Sequence, residues 1–181
     1  MKKVLPMADD LWMQSHPGYI SLGSNQGDPE ANLQRARIAL ANLPEVRLGP
    51  CSPIYKTEPQ NIRDQPWFAN QILRLDCGPA WTAVELLETM LEIEKQMGRV
   101  RKKDKGPRII DLDLLLFGDQ RHNSPVLTLP HPRIMERAFI LVPLQDIAPT
   151  LTFPNGTPIQ AALNAITFQV RGNLIYQSSN D

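Results

Sequence analysis

Ile109-Ile110-Asp111-Leu112-Asp113-Leu114-Leu115-Leu116-Phe117 is apolar at every position but two. A short apolar run entered through turn residues, here Gly106-Pro107, reads as a strand buried in a sheet. Side chains two apart on a strand share a face. Asp111 and Asp113 therefore stand on one face, and Ile110, Leu112, Leu114 and Leu116 on the other. Two carboxylates this close repel, and desolvation adds to the cost. One reading is a divalent cation: two oxygen ligands suit Mg²⁺, which takes few carboxylates and fills its shell with phosphates and water. The other is a solvent-facing strand whose aspartates pair with surface lysines. The strand alone leaves both open.

Upstream of this strand lies a helix signature. Thr82 and Glu85 form a capping box, Leu86, Leu87, Met90, Leu91, Ile93 and Met97 repeat along one face, and Gly98 stops the helix. Trp67 to Cys77, with Phe68, Ile72, Leu73 and Leu75, reads as a strand. Residues 46–57 read as an extended segment broken by Pro50 and Pro53. Further back, Leu33, Ala36, Leu40 and Leu43 mark a helix N-capped by Asp28 with Pro29 in its first turn. Gly18 to Gly23 is a first strand with period-two alternation, followed by turn residues Gly23 to Asp28. The last third holds Pro130-His131-Pro132, a helix predicted around Arg133 to Asp146, a short strand at Leu151 to Phe153 and a helix from Ile159 to Ile166. Strand, helix, strand, strand, helix, strand is a split βαβ order. It predicts an α+β protein with a ferredoxin-like βαββαβ core, an antiparallel sheet, helices packed on it and an extra C-terminal strand and helix. Residues 18–166 form the single domain of this reading, 1–17 an N-terminal extension and 167–181 a C-terminal tail.

Composition sets outer bounds. The 181 residues are 42% hydrophobic and 21% charged, which excludes collagen-like and disordered classes. Nineteen basic and nineteen acidic residues give zero formal charge, against the basic balance expected of bulk nucleic-acid or membrane binding. Cys51 and Cys77 are too far apart in sequence for a redox or zinc motif, so a reducing compartment is the default. No run approaches the roughly 18 apolar residues of a membrane span. Asp9 and Asp10 stand where a signal peptide needs its apolar centre, so a cytoplasmic location is expected.

The zero balance hides segregation. Residues 95–108 carry Lys95, Arg99, Arg101, Lys102, Lys103, Lys105 and Arg108 against the single Asp104. A basic run alone reads most simply as a solvated loop. This one leads directly into the aspartate pair. Arginines match phosphate oxygens bidentately, and carboxylates hold the metal that bridges the same phosphates.

Gly98-Arg99-Val100-Arg101 followed by Gly106-Pro107-Arg108-Ile109-Ile110-Asp111-Leu112-Asp113 resembles the signature of the 6-hydroxymethyl-7,8-dihydropterin pyrophosphokinase family. Six further family-like pieces stand in order: Gly23-Ser24-Asn25, Tyr55-Lys56-Thr57-Glu58-Pro59, Phe68-Ala69-Asn70, Leu129-Pro130-His131-Pro132-Arg133, Glu136-Arg137-Ala138-Phe139 and Val142-Pro143-Leu144. The resemblance spans residues 18 to 166 and implies transfer of diphosphate from ATP to a pterin alcohol, with release of AMP, in folate biosynthesis.

It also implies roles. Asp111 and Asp113 would hold two Mg²⁺ ions, and with Arg99 and Arg108 would form the catalytic set. Arg99, Arg101, Lys102, Arg108, His131 and Arg137 would contact the triphosphate, with His131 a candidate acid for departing AMP. Leu87, Leu114 and Thr128 match positions near the adenosine. Phe68 and Phe139 would sandwich the pterin, Asn70 would bond its edge, and the backbone of Thr57, Glu58 and Gln60 would complete the slot. A flat heterocycle does want aromatic faces, and Asn offers it both a donor and an acceptor. Read without the resemblance, Phe68 and Phe139 are core residues and His131 a loop residue. The expected partners are ATP and the pterin, with no nucleic acid, no membrane and a monomeric chain. One departure stands out: Lys105 occupies the place before Gly-Pro-Arg where the family usually has an aromatic that helps close a loop over the pterin.

Two rivals differ in class. An RNA-binding sheet has the same strand order but would need aromatics exposed where this strand offers aspartates. An inactive relative acting as a binding protein would not need the aspartate pair.

Overall fold

The computed structural model describes residues 12, 14–59, 64–99 and 106–177. Gln60, Arg101, Lys102 and Lys105 lie outside them. The chain runs β1 (His16–Ser24), α1 (Pro29–Ala41), β2 (Val46–Cys51), β3 (Tyr55–Thr57), β4 (Phe68–Cys77), α2 (Ala83–Gln96) and β5 (Asp111–Phe117). It continues through β6 (His122–Asn123), β7 (Thr128–Leu129), α3 (Ala138–Ile147), α4 (Ile159–Asn164), β8 (Gln169–Arg171) and β9 (Leu174–Tyr176).

The local signals in the sequence close as hydrogen bonds. Asp28 accepts from the Ala31 amide at 3.1 Å and starts α1. Both arms of the Thr82–Glu85 capping box form at the start of α2, and Gly98 stands beyond the helix end at φ 90°, where a side chain would be strained. β5 and β4 flank β1, both antiparallel to it, and the far edge of β4 takes β2 and then β3. Pro53 divides these last two strands, as expected, whereas Pro50 lies within β2.

Alternation on the strands divides the core in two. Ile20, Leu22, Leu73, Leu75, Leu112 and Leu114 pack beneath α1 and α2, against Leu33, Leu40, Leu86 and Met90. Ile72, Leu115 and Leu116 pack on the other face against Ile140, Leu141 and Leu144 of α3 and Leu163 of α4. Each fully buried Leu, Ile or Met contributes about 1.5–3 kcal/mol, so Leu86→Ala should cost about 2–5 kcal/mol.

Four expectations need correction. Register slips by one residue where Tyr19 pairs with Leu116 and Ile20 with Leu114, so a bulge turns Leu116 onto the same face as Leu115. The helix predicted from Arg133 begins at Ala138, because residues 132–136 form turns after the Pro130-His131-Pro132 segment. Leu151 to Phe153 gives only an isolated bridge from Thr152 to Pro158. Last, the sheet is not antiparallel throughout. His16 and Pro17 already pair with β4, and β8 and β9 form a hairpin that joins the sheet through β9 and β3. That pairing is parallel, so the sheet is antiparallel only among its other strands. No helix among the described residues is long and apolar enough to cross a membrane, and the thiols of Cys51 and Cys77 are both free.

Candidate active site

The register assembles the site. Gly23 of β1 pairs with Asp111 on one side and Asn70 on the other, and Asn70 pairs with Tyr55 of β3. One cross-strand row thus carries Asp111, Asn70 and Tyr55, with bare Gly23 between the first two. A Cβ on Gly23 would lie 3.2 Å from the Asn70 Oδ1 and 3.9 Å from the Asp111 Cβ. Asp113 follows two residues along, opposite Ser21. The face is the one that α3 covers farther along the sheet.

Guanidinium groups surround the aspartates. Arg99 Nη1 lies 2.5 Å from Asp111 Oδ1, and Arg108 Nη1 lies 2.5 Å from Asp111 Oδ2. Arg99 also pairs with the buried Glu94, from the last turn of α2. Burial opposes the Arg99 charge, but Asp111 and Glu94 on either side outweigh it and raise its pKa. Arg137 sits at the N-terminus of α3, and its buried Nε has no hydrogen-bond partner. Burial and then Arg133 lower its pKa, so an anion delivered here would relieve both effects.

Asp113 is pushed up to about 6, first by burial and then by the Asp111 charge, with Arg137, Arg108 and Arg99 pulling the other way. Its carboxylate has unmet demand for positive charge. Two carboxylates on one face, with no cluster of three ligating side chains among the described residues, fit an ion that completes its shell with phosphate and water. His131 is pushed down to about 4 by burial, then by Arg137 and Arg133. Its Nδ1 accepts the Arg133 amide at 3.2 Å, which leaves the proton of the neutral ring on Nε2. His131 in this state is a neutral hydrogen-bond donor and not a charged acid.

The aromatic pair lies beside the arginines. Arg108 Cζ is 5.7 Å from the Phe68 ring centroid, and Arg137 Cζ is 5.4 Å from that of Phe139. Buried Asn70 donates through Nδ2 to Thr57 Oγ1 at 2.6 Å, so these two expected pterin contacts meet directly. Glu58 follows Thr57 and is exposed. The three expected adenosine residues do not join this cluster. Leu114 alternates onto the helix-covered face at 3% exposure, and Leu87 packs on the edge of the same core. Leu114 is thus packed in the core. Thr128, on β7, is exposed.

Sequence reasoning missed two positioning residues. Glu94 accepts the Leu112 amide at 2.7 Å, between the two aspartates. The signal was available: Glu94 stands four residues after Met90, within the buried stripe of α2. Asn25, 2% exposed, accepts the Arg108 amide at 2.9 Å and donates to Gln65 Oε1 and the Pro66 carbonyl. It ties Arg108 to the segment leading into Phe68. Turn chemistry was all that its sequence showed.

Comparison with known proteins decides the family. Residues 19–149 match the 7,8-dihydro-6-hydroxymethylpterin-pyrophosphokinase family. The chain belongs to it. The function that goes with membership is diphosphate transfer to 6-hydroxymethyl-7,8-dihydropterin in folate synthesis. A Pseudomonas aeruginosa 2-amino-4-hydroxy-6-hydroxymethyldihydropteridine pyrophosphokinase is 42% identical over 151 residues, covering 83% of this chain and 92% of the relative. The protein of the same name from Methylorubrum extorquens is 42% identical over 145 residues, covering 80% and 90%. A solved Plasmodium falciparum HPPK-DHPS shares the fold at TM-score 0.62 and 14% identity, covering 89% of this pyrophosphokinase. The chain spans about half the length of that protein, at 48%.

Proposed function

We infer that this pyrophosphokinase uses ATP and two Mg²⁺ ions, with Asp111, Asp113, Arg99 and Arg108 as its catalytic set. The observation that carries the reading is the pair of carboxylates on one sheet face, with Arg99 and Arg108 bound to Asp111 and Arg137 acting on Asp113. Mg²⁺ held by Asp111 and Asp113 would supply charge neutralisation on the phosphate oxygens.

The chain's own residues do the rest. Arg99, Arg108 and Arg137 hold the triphosphate, and arginine forks fix its oxygens in place. His131 Nε2 adds a neutral donor. Phe68 and Phe139 take the faces of the pterin and Asn70 takes its edge, beside Thr57 and Glu58; Gln60 belongs to the slot by sequence. The pterin hydroxymethyl oxygen attacks the β-phosphorus in line and gives up its proton to water, the bond from that phosphorus to the α–β bridging oxygen breaks, and AMP leaves with that oxygen and the bonding electron pair. Little covalent help is needed when positioning and electrostatics are supplied. Arg101 and Lys102 belong to the triphosphate contacts by sequence. Leu87, Leu114 and Thr128 are read as adenosine neighbours.

The ferredoxin-like description of the frame is supported by the β5–β1–β4–β2/β3 order. We read the chain as a cytoplasmic monomer whose partners are its two substrates, without nucleic acid or membrane; aspartates on the open face repel phosphodiester backbones.

The test is AMP release with ATP, Mg²⁺ and 6-hydroxymethyl-7,8-dihydropterin. Formation of AMP that requires all three supports the reading, and AMP that is independent of the pterin, or absent, overturns it.

A further inference from the structure

The N-terminus of α3 has an unusual cap. Its first amides have no partner within the helix, and Arg137 at the N-cap position makes no side-chain cap bond. The partner comes from the other end of the domain. Gln177, just after β9, accepts the Ala138 amide on Oε1 at 2.8 Å and donates through Nε2 to the Glu136 carbonyl at 2.7 Å. The two bonds bracket Arg137 and stop one residue short of Phe139. The capping side chain is a glutamine 39 residues later in the chain.

The same strand touches the other wall of the pterin slot. Ile175 pairs with Thr57, which accepts the Asn70 amide. Tyr176 meets Trp67 edge to face, with ring centroids 5.6 Å apart, and Trp67 precedes Phe68. Ile175 and Tyr176 of β9 and Gln177 just after it thus bear on Thr57, on the neighbour of Phe68, and on the turn that carries Arg137 and Phe139.

We propose that Gln177, mounted on the β8–β9 hairpin, is a positioning residue that fixes the α3 N-terminus and thereby sets the separation of the two walls of the pterin slot. The proposal rests on the assignment of Phe139 and Phe68 to the pterin. Geometry explains why a hairpin serves. The Arg137 guanidinium only donates, so it cannot accept the Ala138 amide and cap its own helix. A neutral amide supplies both donor and acceptor without adding charge next to the guanidinium. The parallel pairing of β9 with β3 links that amide to Thr57 through backbone, so both walls are referred to one strand.

The test uses the full chain with Gln177→Ala, Gln177→Glu and, as a control on the exposed strand β8, Gln169→Ala. Pterin affinity is measured with a non-hydrolysable ATP analogue bound, ATP-analogue affinity is measured alone, and Ala138 amide exchange is followed by NMR. Loss of one or two hydrogen bonds corresponds to roughly a three- to tenfold change in affinity. Gln177→Ala should weaken pterin binding by that factor, change analogue affinity less than twofold and speed Ala138 exchange. Gln177→Glu keeps the acceptor for Ala138, so it should restore slow exchange and part of the pterin affinity. Gln169→Ala should match the wild type in all three. Unchanged pterin affinity in Gln177→Ala overturns the proposal, as does equal weakening of both ligands, which would mark a general loss of structure. A wild-type chain that binds no pterin overturns the slot assignment itself and is seen before any variant is made.

Discussion

The Glu94 carboxylate accepts the Leu112 amide at 2.7 Å, so the last turn of α2 is bonded to the peptide between the two aspartates. The same carboxylate pairs with Arg99, which reaches on to Asp111. Burial raises the Glu94 pKa against the pull of Leu112 and Arg99. A buried charge held at that cost has its use in orientation: it fixes the guanidinium and the strand from one point. Glu94→Gln keeps an acceptor for Leu112 but loses the charge opposite Arg99. Folding stability should stay within about 1 kcal/mol and turnover should fall roughly ten- to a hundredfold. Glu94→Ala strands both partners and should cost about 3 kcal/mol or more in stability. Urea unfolding and AMP release separate the two variants. Full turnover in Glu94→Gln would show that Arg99 needs no second anchor.

Asp113 makes activity and stability move in opposite directions. Its folded pKa, about 6, lies above the ordinary 3.8. Between those values the folded state binds more protons, so stability falls as pH rises through the window. At pH 7 the full cost is present. Asp113→Asn removes it and should stabilise the nucleotide-free protein by about 1–3 kcal/mol while cutting turnover about a thousandfold. Thermal unfolding at pH 7 without Mg²⁺ and AMP release with it are the two measurements. A variant less stable than wild type at pH 7 would mean that the arginines already satisfy the carboxylate.

His131 works the other way. Its folded pKa of about 4 lies below the ordinary 6.5, so the unfolded chain binds the extra proton between those values. Its contribution is complete above pH 6.5 and is lost as pH falls toward 4. The partly exposed ring is screened, and about 1–2 kcal/mol should be lost across the window. Asp113 has the opposite slope over much of the same range, so the wild type should show a flattened profile. His131→Gln should unmask the Asp113 trend and become relatively more stable at pH 5 than at pH 7. Parallel wild-type and variant profiles between pH 4 and 6.5 would remove His131 from the account.

What the sequence disclosed follows the range of the forces involved. Asp28, the Thr82–Glu85 box and the 33–36–40 stripe act within one helical turn and were legible. The facing of Asp111 and Asp113 needed only strand alternation. That alternation also places Leu114 in the core. The bulge beside Leu115 breaks the period and has no signal in an unbroken leucine run. Glu94, Asn25 and Gln177 find partners 18, 83 and 39 residues away, and such bonds exist only once the sheet is assembled. The pairing of the 169–176 hairpin has no local signal, because β9 gains its partner from β3, more than a hundred residues earlier.

Gly23 offers the sharpest test of the pterin wall. It lies in extended backbone that any residue adopts, so alanine brings no strain of conformation, only a methyl group. That methyl would stand 3.2 Å from Asn70 Oδ1, tighter than ordinary contact, and 3.9 Å from the Asp111 Cβ, which is comfortable. Asn70 cannot swing freely aside, because its Nδ2 is held by Thr57 Oγ1 at 2.6 Å. The amide must shift by a few tenths of an ångström, and hydrogen bonds weaken steeply with misalignment. Gly23→Ala should therefore weaken pterin binding roughly three- to thirtyfold while analogue binding stays within twofold. Gly18, on the same strand, is the control: a Cβ there would meet Phe117 at 3.5 Å and Leu86 at 3.6 Å, both ordinary contacts in the helix-covered core. Gly18→Ala should leave both affinities at wild-type values and change stability by about 1 kcal/mol or less. Calorimetric titration of each variant with pterin and with the ATP analogue reads the difference directly. Wild-type pterin affinity in Gly23→Ala would take Asn70 out of the slot.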